Sequence, residues 1–379
     1  MQFAGERFGA FCRELEGQGL PAALVCDPRH VYYLTGFRPL PLRPAYLVVT
    51  AGQGRLVAPA GTQVEGLPVQ EYLAYSIQEL FPALPRSLEA LARVRPGSRG
   101  PVGVEPQATS LAVARAALDG REPVDITPLL ARLRLRKWPD EVELIRRGAE
   151  LADAGYAAAR QAAAAGGDEM AAYLASRHAV EGNAGEQVEF DGDFVSGERT
   201  LLHGGPPTGR RPQPGDTFIL DLFPTYRGYW ADTCRTLVMG EPTPAQQELA
   251  RRVLAALEAG RQAIRPGLAA HELYRVLQQA LGRGGDASSF SHHGGHGVGL
   301  SPHEPPMIVP ADHTVLEAGM VVTLEPGLYL PGVGGMRFED DYLVTDQGAQ
   351  ALSHYPLGLQ PAGPLPLPRR SSPPAPFVE

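Results

Sequence analysis

Two aspartates on either side of a predicted turn are the first residues of this sequence with the means to do chemistry. Asp221 and Asp232 flank the segment PTYRGY, in which proline and glycine favour a turn. If the hairpin turns between Tyr226 and Arg227, the two aspartates lie opposite each other on one face of the sheet. Facing like charges destabilise a sheet, so this pair requires a compensating partner.

A second pair of acidic residues repeats the arrangement further along the chain. Glu325 and Glu339 flank the segment PGVGG, and a turn centred on Gly332 places them opposite each other. Taken singly, each of the four acids has an alternative interpretation as a solvated hairpin residue. Together they predict one cavity with four carboxylates, whose charge two bridged divalent ions would neutralise. The segment SHHGGHGVGLSPHEPP, residues 291–306, offers the histidine nitrogen that such a site usually includes.

The elements that would position these acids form two similar halves. The pattern Glu-Leu-x-Arg-Arg occurs at 143–147 and again at 248–252, and an Ala-Gly pair follows both copies at the same interval. Each copy continues with a second helical segment and then a hairpin, at 217–239 and at 320–345. We therefore predict a duplicated helix-helix-sheet domain, with chance similarity between Ala- and Arg-rich helices as the alternative.

The predicted fold class is an α/β N-terminal domain followed by an α+β domain with a pseudo-two-fold duplication. In residues 1–134, the segment FGAFCRELEGQG predicts a helix, and AALVCD and AYLVVT predict strands. Residues 135–358 hold the duplicated domain, which a Trp-Pro-Asp helix start opens. Residues 359–379 are a Pro-rich tail, which we expect to be polyproline-like or disordered and to join neither a sheet nor a helix.

Composition excludes several classes of function. The chain has 379 residues, 44% hydrophobic and 20% charged, which is typical of a globular protein. Its formal net charge of −8 argues against nonspecific binding to nucleic acid or to an anionic membrane. The N-terminus lacks a signal-peptide pattern, and Cys12, Cys26 and Cys234 are too sparse for a disulfide framework, so we expect reduced thiols and a cytoplasmic location. The sole lysine, Lys137, argues against a Walker phosphate loop and against a Schiff-base mechanism, because both need a lysine in a particular setting.

Five motifs in this chain resemble those of a known family, the pita-bread metallopeptidases of the Xaa-Pro aminopeptidase and prolidase group. The motifs are DPRHVYYLTGF, DLFPTYRGYWADTCRT, HHGGHGVGLSPHEPP, TLEPGLY and GGMRFEDDYLVT. The resemblance implies a creatinase-like N-terminal domain and a pita-bread catalytic domain. It also implies a dinuclear metal site whose ligands are Asp221, Asp232, His296, Glu325 and Glu339.

The resemblance also implies which metal ion each of these ligands would bind. Asp221 is expected to chelate one ion, while Asp232 and Glu339 bridge both. His296 and Glu325 are expected to complete the coordination of the other ion. Glu325 would in addition act as the acid/base that accepts a proton from the attacking water and passes it on.

Four further residues are expected around the substrate. The resemblance assigns His203, in SGERTLLHGG, and His303 to stabilising the oxyanion and donating to the leaving group. His292 is a candidate for the pocket that receives the proline ring. Arg337 lies two residues before Glu339 on the same strand face, where it would hold a dipeptide carboxylate or pair with the ligand carboxylates. The departures from the family pattern are Leu202, where proline is usual, His293, where glycine is usual, and the segment DLFP, where Asp-x-Gly is commoner.

These expectations describe a prolidase, an exopeptidase that hydrolyses the Xaa-Pro bond of dipeptides through a metal-bridging hydroxide. The resemblance favours two Mn²⁺ ions, with Co²⁺ or Zn²⁺ as alternatives, and it implies a homodimer. The first alternative function is an Xaa-Pro aminopeptidase that acts on longer peptides. A metal-free creatinase-like hydrolase and a catalytically dead pita-bread binding protein both predict lost ligands, which this sequence retains. A methionine aminopeptidase would not need residues 1–130.

Overall fold

The computed structural model describes residues 4–40, 43–73, 83, 86, 100–118, 120–282 and 290–362. The chain divides into two compact units, Met1–Glu143 and Leu144–Glu379. The division falls shortly after the predicted domain boundary, within a long helix, Pro139–Ala164. Across the described ranges, no helix combines the length and the apolar character that crossing a membrane requires.

The N-terminal unit is built on a six-stranded mixed sheet with the strand order β4-β3-β2-β1-β5-β6. The predicted helix and the two predicted strands are confirmed as α1, β1 and β2, and β1 is buried along its whole length because AALV has no polar side chain. The elements are α1 (Ala4–Gly17), β1 (Ala22–Val25), α2 (Pro28–Thr35), β2 (Tyr46–Thr50), β3 (Gln53–Pro59), β4 (Val69–Tyr72), β5 (Val102–Val104), α3 (Leu111–Leu118), β6 (Pro123–Asp125) and α4 (Thr127–Leu135).

The motif DPRHVYYLTGF forms α2 together with its two caps. Asp27 is the N-cap and accepts a hydrogen bond from the backbone N–H of Arg29, while Gly36 ends the helix with a φ of 73°. His30 on this helix contacts Glu105 through Nδ1 and Arg134 through Nε2. Glu105 also accepts hydrogen bonds from the backbone N–H groups of Cys26 and Asp27. These contacts give the buried polar groups of the motif a structural role within this unit.

The C-terminal unit places helices against two five-stranded sheets and a two-stranded ribbon. The strand orders are β18-β10-β8-β7, with β9 paired to β8, and β12-β11-β13-β16-β17, while β14 and β15 form the ribbon. The elements are α5 (Pro139–Ala164), α6 (Glu169–Ala184), β7 (Phe190–Ser196), a 3₁₀ helix (Gly197–Leu202), β8 (Thr217–Tyr226), β9 (Tyr229–Trp230), β10 (Thr233–Val238), α7 (Pro244–Ala263), α8 (Ala270–Gly282), β11 (His296–Gly297), β12 (Glu304–Met307), β13 (Val321–Leu324), β14 (Gly327–Leu330), β15 (Gly334–Arg337), β16 (Asp340–Thr345), β17 (Gly348–Ala351) and β18 (Gln360–Pro361).

The duplication predicted from the helices is confirmed by the order of the elements, because two helices precede a hairpin in each half. The repeated Ala-Gly pair has a packing reason. A Cβ on Gly155 of α5 would lie 3.0 Å from a methyl group of Leu222, and one on Gly260 of α7 would lie 2.9 Å from a methyl group of Leu324. Leu222 directly follows Asp221, and Leu324 directly precedes Glu325. Each half therefore uses a helical glycine to seat its helix against the strand that carries an acid.

The predicted register of the second hairpin is confirmed. Leu324 pairs with Asp340 and Gly327 pairs with Arg337, so Glu325 and Glu339 fall at facing positions between these two pairs. The hairpin turns at Gly332, whose φ is 81°. The two glutamates stand where the strands leave one sheet, β13 with β16, and enter the ribbon of β14 with β15.

The predicted register of the first hairpin is wrong by two residues. Asp221 pairs with Cys234 and not with Asp232. Because side chains alternate between faces, Asp232, two residues before Cys234, still belongs to the face that carries Asp221. The two aspartates are therefore diagonal neighbours on one face. They still lie close together, as the prediction required, although the predicted register is wrong.

The turn explains this error. Tyr226 pairs with Tyr229, so the two turn residues are Arg227 and Gly228, with φ values of 48° and 82°. A two-residue turn with positive φ at both positions favours glycine at the second one. A turn between Tyr226 and Arg227, as predicted, would have placed Gly228 after the turn, where its ability to adopt positive φ is not needed.

The two hairpins meet through one backbone bridge. Cys234 of β10 donates its N–H to the carbonyl of Glu339 at 3.3 Å and accepts the N–H of Glu339 at 3.0 Å. Cys234 is also the ladder partner of Asp221. Cys234, which lies between Asp221 and Glu339, thus joins one half of the duplication to the other.

The start of the Pro-rich tail differs from its prediction. Gln360 and Pro361 form β18, which pairs in parallel with Leu237 and Val238 at the edge of the first sheet. An edge strand tolerates proline because one side of it makes no ladder hydrogen bonds. The rest of the tail, 363–379, lies outside the described residues.

Candidate metal centre

All five predicted ligands lie in one buried site of the C-terminal unit. Ligand oxygens of Asp221, Asp232 and Glu339 lie within 4.8 Å of one another. His296 Nε2 is 3.5 Å from Asp232 Oδ2 and 3.5 Å from Glu325 Oε1. These residues come from β8, the approach to β10, β11, the junction of β13 with β14 and the junction of β15 with β16. None of them is more than 7% exposed.

The carboxylates of this site have no counter-charge sufficient for them among the described residues. One oxygen of each acid, Asp221 Oδ1, Asp232 Oδ1, Glu325 Oε1 and Glu339 Oε1, is buried without a hydrogen-bond partner there. Buried carboxylate oxygens without partners are costly, and four of them in one place fit the coordination of divalent cations. The donor set of oxygens with an imidazole nitrogen suits Mn²⁺, Co²⁺ or Zn²⁺.

The pKa values of the four acids reflect the same shortage of counter-charge. Burial raises the pKa of Asp221 to about 7, although the charge of Arg337 lowers it. Burial, and then the neighbouring carboxylates, hold the pKa of Asp232 and that of Glu339 well above the usual range. Burial also raises the pKa of Glu325, but the adjacent histidines, His293 foremost, outweigh it and lower the pKa to about 2. A bound cation would favour the ionised form of all four acids.

His296 is oriented for coordination by its own strand. Its Nδ1 lies 3.0 Å from the carbonyl oxygen of Gly297, and its backbone N–H donates to Thr323 Oγ1. This arrangement leaves Nε2 facing the acids. Burial lowers the pKa of His296 to about 4, so the imidazole is neutral at pH 7, as metal ligation requires.

Arg337 binds the carboxylate of Asp221. Its Nη2 donates to Asp221 Oδ2 and lies 3.4 Å from Asp193 Oδ2, while its Nη1 donates to the carbonyl of His203 at 2.7 Å and to the Tyr329 hydroxyl at 3.2 Å. The side chain is buried, at 5% exposure. Of the two roles expected from the sequence, pairing with a ligand carboxylate is present in the structure, and the substrate clamp stays a prediction.

His203 stands at the rim of the site in an unusual backbone conformation. Its φ of 72° is uncommon for a residue other than glycine. This conformation lets its carbonyl accept from Arg337 while its ring packs edge-on against Tyr329 at 4.3 Å. Nε2 lies 2.7 Å from Ser291 Oγ. Burial, followed by the charge of Arg337, lowers the pKa of His203.

His292 and His303 also lie at the site. His292 Nε2 is 2.9 Å from the Tyr329 hydroxyl, and burial lowers its pKa to about 4. The ring of His303 is 3.9 Å from that of His296, and one of its ring nitrogens lies within 4.8 Å of a carboxylate oxygen of Asp232. His303 is exposed, unlike the five ligands. The structure therefore brings every residue that the sequence selected into one neighbourhood.

Three residues of the site were missed as functional residues. His293, noted only as a departure from the family pattern, places Nδ1 2.8 Å from Glu325 Oε1. Asp341 accepts the backbone N–H of Asp232 at 3.0 Å, and Asp193 lies beside Arg337. Signals were available for two of them, since His293 sits within the histidine cluster and Asp341 within FEDD. Asp193 required knowing that β7 pairs with β8 next to Asp221.

Comparisons with known proteins agree with this geometry. The family model described as metallopeptidase family M24 matches residues 143–346, and the creatinase/prolidase N-terminal domain matches residues 7–136. The chain is 30% identical over 355 residues to an Xaa-Pro dipeptidase of Pyrococcus furiosus, covering 92% of this chain and 97% of that protein.

Solved structures give the same answer for the fold. The prolidase from Pyrococcus horikoshii OT3 superposes with a TM-score of 0.81 at 27% identity, covering 93% of this chain and 99% of that one. An X-Pro aminopeptidase from Thermotoga maritima MSB8 superposes with a TM-score of 0.80 at 24% identity, covering 92% and 97%, and shows the fold alone. With its buried site of carboxylates and histidine and its pita-bread fold, the chain belongs to metallopeptidase family M24 and is a metal-dependent hydrolase.

Proposed function

We propose that this protein is an Xaa-Pro dipeptidase, a prolidase that uses two divalent metal ions. The observation that carries the proposal is the set of four buried carboxylates with unpartnered oxygens beside the neutral His296. The likeness to an Xaa-Pro dipeptidase of Pyrococcus furiosus along nearly the whole of both chains supports the choice of substrate.

In this proposal, Asp221, Asp232, His296, Glu325 and Glu339 hold the metal ions. When bound, such ions supply a water of lowered pKa and polarise the scissile carbonyl. We assign Glu325 to proton transfer, because its carboxylate lies in the site in the ionised form that can accept a proton. We assign Asp232 and Glu339 to bridging, since their oxygens are grouped with those of Asp221.

The histidines around the metal ligands would handle the substrate. We assign His203 and His303 to the developing oxyanion and to the leaving nitrogen, as ring N–H donors at the rim of the site. We assign His292 to the proline pocket, because its ring packs edge-on against Phe290 at 5.2 Å, which in turn stacks on Tyr274 at 5.3 Å. A flat apolar wall of this kind suits a pyrrolidine ring, which has no N–H to recognise.

Three finer assignments complete the proposal. We propose Mn²⁺ as the metal of the oxygen-rich positions, with Co²⁺ and Zn²⁺ as competitors. We propose a homodimer, on the family resemblance. We propose a cytoplasmic location, to which the three free cysteines are suited.

An Xaa-Pro aminopeptidase is the second candidate function. The exposed side of the site at His303 favours it, because a longer peptide must leave on an open side. A fold shared with an X-Pro aminopeptidase does not separate the two candidates. A catalytically dead binding protein has less support, since the five residues that we propose as ligands are all retained and lie close together.

The deciding experiment measures amine release from Ala-Pro and from Ala-Pro-Ala-Ala by the purified chain with added Mn²⁺. We expect cleavage of the dipeptide and little or none of the tetrapeptide. Cleavage of the tetrapeptide at a comparable rate would make the protein an Xaa-Pro aminopeptidase. Cleavage of neither substrate by protein that binds no metal would overturn the enzyme proposal. The Glu325→Gln variant is the control, because it keeps the shape of the side chain and removes the proton acceptor.

A further inference from the structure

We propose that His293 is a sixth protein ligand, bound to the same metal ion as His296 and Glu325, and that it makes the two metal positions chemically unequal. The inference deepens the metal centre on which the proposed function rests. The family resemblance does not supply it, because glycine is usual at this position.

The first support is the close approach of His293 to a predicted metal ligand. His293 Nδ1 lies 2.8 Å from Glu325 Oε1. Both atoms are buried. A cation at this position would displace a proton shared by the two atoms, because metal ligands bind in their deprotonated form.

The second support is the spacing of the three donor atoms. Nδ1 of His293, Nε2 of His296 and an oxygen of Glu325 all lie within 4.8 Å of one another, and His296 Nε2 is 3.5 Å from Glu325 Oε1. Donors about 2.0–2.2 Å from one ion are roughly 2.8–3.1 Å apart at octahedral angles and roughly 3.3–3.6 Å apart at tetrahedral angles. The two separations, 2.8 Å and 3.5 Å, agree with these distances.

The third support is the backbone that directs both rings to one place. Gly295 has a φ of 143°, and a Cβ there would lie 2.0 Å from the carbonyl oxygen of Thr323. A Cβ on Gly294 would lie 2.7 Å from a methyl group of Leu277. A side chain is therefore excluded at Gly295, and one at Gly294 would force Leu277 to shift, so the chain is tightly packed where His293 and His296 face Glu325.

The chemical consequence is a difference in metal preference between the two positions. The group of Asp221, Asp232 and Glu339 offers oxygen alone, which suits Mn²⁺. The group of His293, His296 and Glu325 offers two imidazole nitrogens with one carboxylate, in addition to the oxygens of Asp232 and Glu339 that would bridge both ions. Imidazole suits Zn²⁺ and Co²⁺, which also bind more tightly than Mn²⁺ in the general order of divalent metals. The histidine position should select Co²⁺ or Zn²⁺ over Mn²⁺ more strongly than the oxygen position does.

The test is a Co²⁺ titration of the metal-free full-length chain, followed by proton NMR. A coordinated imidazole keeps its other N–H, which gives a paramagnetically shifted signal that exchanges with D₂O. Since His296 coordinates through Nε2 and His293 through Nδ1, we expect two such signals in the natural chain. The His293→Gly variant should retain the His296 signal alone, and its Co²⁺ affinity should fall by about 10–100-fold while its Mn²⁺ affinity at the oxygen position changes less.

Two further variants keep the result interpretable. His293→Asn retains a polar group beside Glu325 without an imidazole, and it should behave as His293→Gly does. His354→Asn removes an exposed histidine outside the site and should leave both signals in place. If His293→Gly keeps two shifted signals and an unchanged Co²⁺ affinity, or if His293→Asn restores the affinity, the ligand role is overturned. A natural chain that binds no Co²⁺ at all would instead refute the proposed metal centre.

Discussion

Arg337 contacts Asp221, one of the proposed metal ligands, without being a proposed ligand itself. Its guanidinium reaches Asp221 from one nitrogen and the His203 carbonyl from another, so it joins a ligand to the rim of the site. A guanidinium makes both contacts because its donors are fixed in one plane, whereas an ammonium is a single point charge. The residue therefore orients Asp221 and also supports the backbone conformation of His203.

We predict that Arg337→Lys lowers Mn²⁺ affinity by about 10–100-fold, as the loss of a partner behind a metal ligand typically does. Isothermal titration of the metal-free protein measures this change. Asp193→Asn is the matched variant and should have a smaller effect, because its contact with Arg337 is the longer one, at 3.4 Å. An unchanged metal affinity with a raised KM for Ala-Pro would instead place Arg337 on the substrate carboxylate.

At the scale of elements, two helices approach their strands through glycine. Gly155 and Gly260 occupy equivalent positions in the two halves, and neither leaves room for a methyl group. These contacts lie directly behind the strands that carry Asp221 and Glu325. Helix packing and ligand position are therefore coupled in both halves.

We predict that Gly260→Ala destabilises the protein by about 1–3 kcal/mol, because overpacking forces neighbouring groups to shift. Thermal unfolding should show a fall in Tm of about 2–4 °C for each kcal/mol. Gly182→Ala is the control within a helix, since a Cβ there meets nothing within 4 Å. It should raise stability by about 0.5–1 kcal/mol. Equal effects of the two substitutions would contradict the packing argument.

The hairpins show what the sequence could and could not predict about the elements. The second register was predictable because PGVGG has one turn centre, and the predicted centre is the observed one. The first was not, because PTYRGY offers Pro224 and Gly228 as competing turn signals, and the conformation of Arg227 decided between them. The edge strand at Pro361 was missed because a proline-rich composition describes a segment on its own and says nothing of a free sheet edge.

The site was predictable where its chemistry repeats and unpredictable where it depends on single contacts. The four acids were found because the two pairs sit in equivalent hairpins. Pairing of Arg337 with the ligand carboxylates was one of two roles expected from the sequence, but its specific partner, Asp221, lies far away in the chain and no local pattern reveals it. The position of His293 depends on the packing of two glycines, which only the folded structure supplies.

At the scale of the whole molecule, the acids of the proposed metal centre lower the stability of the metal-free protein. Four acids drawn from both halves of the C-terminal unit are held together without sufficient counter-charge among the described residues. Their mutual repulsion opposes folding until cations neutralise it. Metal binding and folding stability are therefore linked.

We predict that Asp232→Asn raises the Tm of the metal-free protein while reducing the stabilisation that Mn²⁺ provides. The amide removes the cost of burying an acid whose pKa is raised by burial and by the neighbouring carboxylates, and it removes one proposed ligand as well. In the natural chain, Mn²⁺ at 100 times its Kd should contribute about 2.7 kcal/mol. Calorimetry with and without Mn²⁺ measures both effects, and Asp346→Asn, at an exposed turn, should change neither. A metal-free Asp232→Asn protein that melts below the natural chain would contradict the argument.

The bridge at Cys234 makes the junction of the two hairpins observable by a thiol reagent. Cys234 is fully buried, and that burial holds its pKa well above the usual range, so alkylation must wait for the junction to open. The rate of alkylation at this one peptide therefore measures the free energy of local opening between the two halves. Cations that bind acids from both halves should slow that rate. The alkylation rate of Cys234 would then measure how much metal binding stabilises the junction between the two hairpins.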